Sequence, residues 1–148
     1  MKKLLMKICE KINGEFEYPT YIEEMKEGIK APSFFIYIIS NKQEERSKWT
    51  YEENTTIQIM YFVDPKALYK RLEQIEVMER LKKLFLNLFI KVEDEKISIK
   101  DITVDYTQDK DIFMQITLNK IGFEKEKWYR QHKDIQVMKK VNIRESGV

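Results

Sequence analysis

The chain has 148 residues, 43% of them hydrophobic and 12% aromatic, with one cysteine, four glycines and three prolines. That length suits one domain able to bury roughly 68–70% of its unfolded surface, and the composition excludes a disulfide scaffold and a low-complexity chain. A balance of 27 basic against 25 acidic residues leaves a formal charge of +2, which singles out no partner class.

The charge is uneven, however. Over residues 120–148, Lys120, Lys125, Lys127, Arg130, Lys133, Lys139, Lys140 and Arg144 are set against Glu124, Glu126, Asp134 and Glu145, an excess of four that leaves the rest at minus two. A basic tail can follow phosphates. With no dense Lys/Arg run, it reads more simply as a solvated or subunit-docking extension.

At the N-terminus Leu4, Leu5, Ile8 and Ile12 recur at helical spacing. This predicts a first helix over about residues 2–13 with Gly14 as its C-terminal cap. Cys9 lies among these residues and reads as a small buried hydrophobe, in keeping with a reducing cytoplasm. Lys7, Glu10 and Lys11 break the apolar stretch before signal-peptide length, and no small-residue cleavage site follows. No segment approaches the ~20 apolar residues of a membrane span. A short strand is expected at Tyr18 to Ile22. Phe34 to Ile39 is an unbroken apolar run, aromatic and β-branched and too short for a buried helix, so it reads as a strand leading into the polar stretch SNKQEERSK. From Thr55 to Val63, Ile57, Ile59, Tyr61 and Val63 fall on one face and Thr56, Gln58, Met60 and Phe62 on the other, a second strand pairing with the first as a hairpin.

Asp64-Pro65 is a helix-start signal, because Asp caps well and proline at the first position loses only an unpartnered N–H. Leu68, Leu72, Ile75, Met78, Leu81, Phe85 and Leu88 follow at intervals of three or four, predicting an amphipathic helix to about residue 88 with Lys70, Glu73, Arg80 and Lys83 on its wet face. After the charged turn Glu93 to Lys96, Ile97, Ile99, Ile102, Val104 and Tyr106 alternate except for a one-residue slip at Lys100-Asp101, the mark of a β-bulge. Ile112, Met114, Ile116 and Leu118 alternate after the polar turn Thr107 to Asp111 and complete a second hairpin. One more strand is expected over Val137 to Ile143. The order α-ββ-α-ββ predicts an α+β domain over residues 1–123: one antiparallel or mixed β-sheet of four or more strands, two helices on one face, then a basic extension over 124–148.

Catalysis finds little foothold. His132 is the single histidine, far from Cys9, and no Gly-x-Ser-x-Gly elbow accompanies it. One Cys and one His cannot build a four-ligand zinc site without several carboxylates. Glycines at 14, 28, 122 and 147 form no phosphate cradle. Asp101, Asp105, Asp109 and Asp111, and the acid-x-Lys triplets Glu24-Met25-Lys26 and Asp94-Glu95-Lys96, could in principle serve a magnesium nuclease. Such triplets arise readily by chance in a chain that is 35% charged. No catalytic residue, metal or cofactor is expected.

What stands out is surplus apolar surface. Phe34 to Ile39 points large side chains to both sheet faces, and helices on one side cover only half of them. The other half calls for the C-terminal extension, through Trp128, Tyr129, Ile135, Val137 and Met138, or for a neighbouring subunit, or both.

The block Tyr21-Ile22-x-Glu24-Met25-x-Glu27-Gly28-Ile29-Lys30-x-Pro32-Ser33-Phe34-Phe35-Ile36 closely resembles the N-terminal signature of a tail terminator family from phages and prophages of Gram-positive bacteria. The likeness continues through Arg46, Lys48, Trp49 and Tyr51 into Ile57 to Phe62, covering about residues 1–123. Ser33 stands where many relatives carry Cys, and 124–148 falls outside the pattern. The resemblance implies a non-enzymatic subunit that closes as a ring on the tail tube, stops its polymerisation and offers its other face to the neck or head. A hexamer is expected from fold-level likeness to the ring-forming terminators of long-tailed phages. The implied partners are other copies, the tail tube protein and a neck or head-completion protein, with DNA passing through the lumen. The implied location is the host cytoplasm during assembly and then the virion tail, with no membrane. Interface residues are expected at Glu24, Lys26, Gly28, Pro32, Phe35, Tyr37, Ile39, Arg46, Trp49, Trp128 and Tyr129. Gly28 would shape an elbow, and Pro32 would hold Ala31 extended so that the chain runs straight into its strand. Glu23, Glu24 and Lys26 would meet a subunit or the tube. Strand 34–39 would lie at a sheet edge, with a loop from Asn41 to Lys48 reaching the next protein. Two other classes remain open: a neck or head-completion adaptor of similar size, and a metal-dependent nuclease, which would cut DNA with magnesium.

Overall fold

The structure, a computed structural model, describes residues 1–24, 30–86, 89–93 and 95–123. In chain order it contains α1 (Lys2–Glu15), β1 (Thr20–Ile22), β2 (Ser33–Glu45), β3 (Thr50–Phe62), α2 (Lys70–Leu84), β4 (Phe89–Val92), β5 (Glu95–Tyr106) and β6 (Ile112–Phe123). The strands form one mixed six-stranded sheet in the order β1-β2-β3-β6-β5-β4. Strand β1 is parallel to β2, and β5 is antiparallel to both β4 and β6. The α+β class is the one the sequence predicts, and so is the order of elements apart from β4. The chain divides into two compact units, 1–42 with 54–120 and 43–53 with 121–148.

The first unit holds the core. Helix α1 buries Leu4, Leu5, Ile8, Cys9 and Ile12, the stripe visible in the sequence. Phe34 and Ile36 of β2, Ile57, Ile59 and Tyr61 of β3, and Ile112, Met114, Ile116 and Leu118 of β6 join the same cluster, each at most 1% exposed. Their strict alternation is the period-two pattern of strands with one face on the core. Phe16, Tyr18, Phe34 and Tyr61 stack within it, with ring centroids 4.9–6.1 Å apart. The Tyr61 hydroxyl donates to Glu73 at 3.1 Å. Burial, reinforced by that glutamate, pushes the phenol pKa up and keeps it protonated.

Helix α2 departs from its sequence pattern. Asp64-Pro65 opens a turn instead, where the Ala67 N–H donates to Asp64 O and the Lys66 N–H to Asp64 Oδ1, both at 2.9 Å. Asp closes such local turns with its own side chain, and the helix begins only at Lys70. Its buried residues are Gln74, Val77, Met78 and Leu81, whereas Leu68 (85% exposed), Leu72 (65%) and Ile75 (41%) face water. The reason is geometric: each three-residue step falls about 60° short of a full turn, so a run of threes walks around the helix. Arg80, placed by the sequence on the wet face, is half-buried over the Phe16 ring at 4.2 Å and pairs with Glu15 at 3.1 Å.

Other boundaries also move. Gly14 lies inside α1, which stops at the extended Phe16. Strand β2 continues to Glu45, so most of SNKQEERSK is strand and only residues 46–49 connect it to β3. The Arg46 N–H donates to Thr50 O at 3.0 Å across that connection. There is accordingly no long loop from Asn41 to Lys48. Nor is β2 an edge strand along Phe34, Phe35 and Ile36, which pair with Thr20, Tyr21 and Ile22. Strand β4 lies just beyond the predicted helix, in residues to which the sequence assigns no element, and its Val92↔Glu95 pairing leaves a two-residue connection with Glu93 at φ 56°, the left-handed geometry tight hairpins favour. The bulge is where the alternation slips, a register shift between Ile99 and Asp101. The strand expected over Val137 to Ile143, and all of 124–148, lie outside the described residues.

Candidate assembly interface

The sheet face opposite the core is the first candidate surface. Phe35 and Tyr37 project from β2 and stack at 4.8 Å with an interplanar angle of 27°, half-buried. Ile39 follows at 45% exposed. The Tyr37 hydroxyl lies 3.9 Å from Met60 Sδ. It also accepts a hydrogen bond from Gln58 Nε2, and Gln58 Oε1 in turn accepts from Gln115 Nε2 at 2.9 Å. Thr56 and Thr117 meet at 3.5 Å, and Asn119 Nδ2 donates to Asn54 Oδ1 at 2.9 Å. The pairs 58/115, 56/117 and 54/119 step by two residues in opposite directions, so β3 and β6 carry a ladder of polar cross-strand pairs. Gln58 is 7% exposed although no described helix covers this face. The face is therefore a satisfied polar strip beside a narrower apolar rim of Phe35, Tyr37 and Ile39. The apolar surplus expected of the Phe34 to Ile39 run is confined to that rim.

The signature block is built around Glu23, a charge expected at a subunit or tube contact and here engaged within its own chain. Glu23 has φ 63°, and its N–H donates to Ile36 O at 2.8 Å. Its Oε1 accepts from the Ile38 N–H at 3.0 Å. Where β1 ends, a carboxylate takes over the place of the missing backbone acceptor. A non-glycine residue in the left-handed region leaves no mark in sequence. Glu24 is exposed, with its N–H on Ile22 O at 2.7 Å. Lys26 and Gly28 lie outside the described residues, as does the elbow itself. The Ala31–Pro32 peptide is cis, and residues 31 and 32 form a bend ahead of β2 where a straight entry was expected. Ser33 is fully buried, and its Oγ has no hydrogen-bond partner among the described residues.

The second unit is described by itself. Arg46 Nε lies 3.8 Å from Glu52 Oε2, and Lys48 Nζ sits 5.6 Å from the Trp49 ring centroid. Gly122 packs so closely on Tyr51 that a Cβ there would lie 2.1 Å from Tyr51 Cζ. Trp128 and Tyr129 lie outside the described residues.

Back in the first unit, Leu68, Tyr69 and Leu72 border a cleft of about 490 Å³ with Tyr18, Glu73, Glu76 and Arg80. No three His, Cys, Asp or Glu side chains come together as a metal site among the described residues. The four aspartates flagged by the sequence do not converge, and Asp105 Oδ1 accepts the Tyr106 N–H at 2.7 Å. Burial, then the neighbouring Asp109, pushes the Asp111 pKa up. Among the described residues no helix is long and apolar enough to cross a membrane.

Comparison with known proteins gives one informative result. No curated protein matches the chain. Among the solved structures that match, one aligns over 78% of this chain and 86% of its own at 16% identity, with a TM-score of 0.46, a likeness that carries no argument. The family model for the phage tail terminator protein matches residues 3–127, and with most of its length so matched the chain belongs to that family, a structural protein of the phage tail that acts against other tail proteins.

Proposed function

We propose that copies of this protein close into a ring, six in number, that caps the growing tail tube, stops its polymerisation and forms the joint to the neck or head. The single observation that carries this reading is the family match over residues 3–127. The physics is compatible. A closed ring needs a heterologous contact, one patch meeting a different patch on the next copy. The rim of half-buried Phe35 and Tyr37 with Ile39, 45% exposed, is one apolar patch. Glu24, Lys26, Gly28 and Pro32 would form the contact to the tube or the next subunit, with Arg46, Trp49, Trp128 and Tyr129 as further contacts. DNA would pass through the lumen, and assembly would take place in the host cytoplasm.

Reversing the charges of Glu24, which is exposed, and of Lys26 tests the reading. Sedimentation of the variant should show the ring lost while its melting temperature stays within a few degrees of the parent. An intact ring discards the assignment of those two residues. A parent protein that forms no closed assembly, alone or on tubes, discards the ring.

A further inference from the structure

Helix α2 and its lead-in carry a second apolar stripe that the core does not use. Leu68, Tyr69, Leu72 and Ile75 are 85%, 67%, 65% and 41% exposed, and three of them border the 490 Å³ cleft. Four large apolar side chains in eight residues far exceed the scattered exposure normal at a surface. The cleft is also acidic. Glu73 and Glu76 line it, and Arg80, the one cation among its described lining residues, is already engaged by Glu15 at 3.1 Å and by the Phe16 ring.

The chain itself contains a segment of the opposite character. Residues 128–148 carry five Lys/Arg against two acids, a net charge of +3, interleaved with Ile135, Val137, Met138, Val141 and Ile143. All of that segment lies beyond the family match, which ends at residue 127. On its cleft side the stripe is edged by Glu73 and Glu76, while Lys70 and Arg71 fall between Tyr69 and Leu72, and an apolar segment edged with lysines complements that cleft side in charge and in apolar surface.

We propose that residues 128–148 of a neighbouring copy dock along the Leu68–Tyr69–Leu72–Ile75 stripe of α2. This rests on the ring reading above, in which each copy gives one segment and receives one. A ring joined this way gains a strap at every contact, and the tether makes each strap effectively intramolecular once the ring has closed.

Cross-linking of full-length protein tests the proposal. In a Cys9→Ser background, Leu72→Cys protein is mixed with Val137→Cys protein and oxidised, and the product is read at twice the 18.0 kDa chain mass. Docking predicts at least about tenfold more mixed dimer than with Ser98→Cys in place of Leu72→Cys, because docking holds the two sulfurs at millimolar effective concentration. Adding Tyr69→Asp, at a side chain exposed enough to leave folding intact, should remove that excess. Equal yields overturn the proposal. So does a chain carrying both cysteines that links only within itself, since its segment then belongs to its own copy. Sedimentation of the same samples separates the two readings: a ring without the cross-link discards the docking and leaves the ring, whereas the cross-link without a closed ring does the reverse.

Discussion

The clearest physical contrast in the protein lies on α2, between Leu81 and Leu72. Leu81 is 0% exposed and Leu72 is 65% exposed, although the sequence places both in one periodic stripe. Truncating either to Ala removes three carbon groups. For Leu81 the transfer term is about 2.4 kcal/mol at ~0.8 kcal/mol per group, and the cavity left behind raises the total to about 3–4 kcal/mol. For Leu72 only about a third of the transfer term applies, about 0.8 kcal/mol, with no cavity and a small gain in helix propensity. Urea unfolding of the parent and the two variants, at concentrations too low for assembly, measures both. The slope should stay constant and the midpoint should shift strongly for Leu81→Ala and barely for Leu72→Ala. Equal losses would refute the reasoning, because they would require Leu72 to be buried in the single chain.

Three further outcomes follow from the site. Glu23→Ala should cost about 1–2 kcal/mol by leaving the Ile38 N–H unpartnered, with faster amide exchange at Ile38, while Glu23→Gln keeps most of the protection; unchanged exchange in the Ala variant would mean the carboxylate bond does not hold. Ser33→Cys should stabilise the fold by about 1 kcal/mol, raising the melting temperature by about 2–4 °C, since a thiol tolerates a slot with no hydrogen-bond partner better than a hydroxyl does; a lower melting temperature would show that the hydroxyl has a partner. Asp111 has a raised folded pKa, so its ionised form is disfavoured by folding, and the resulting penalty is present at neutral pH and relieved as pH falls through that pKa. Asp111→Asn should therefore stabilise the protein at pH 7 and do progressively less toward pH 3, and a benefit that grows on acidification would contradict the assignment.

The sheet was legible wherever a single face met the core. Met114, Ile116 and Leu118 announce β6 by strict alternation, and the slip at Lys100-Asp101 marks the bulge because one extra residue inverts the pattern. Helix α2 was legible as a helix but not in its orientation, since leucines three apart drift round the axis and only packing decides which half is buried. Strand β4 was hidden because four residues are too few to show a period beside a charged turn. On the outer sheet face, the stacked pair Phe35 and Tyr37 was legible from the unbroken apolar run. The polar ladder through Gln58 and Gln115 was missed, because glutamines on an alternate strand face normally signify solvent. Glu23 was read as a contact charge, and its role inside the chain stayed hidden because it depends on a backbone angle and on a strand ending beside it.

The central claim is that this protein ends the tail tube. Electron microscopy of particles assembled without it measures this directly. The account predicts tubes that overrun their normal length and vary from particle to particle, with the joint to the head missing. Tubes of normal, uniform length joined to filled heads would contradict it.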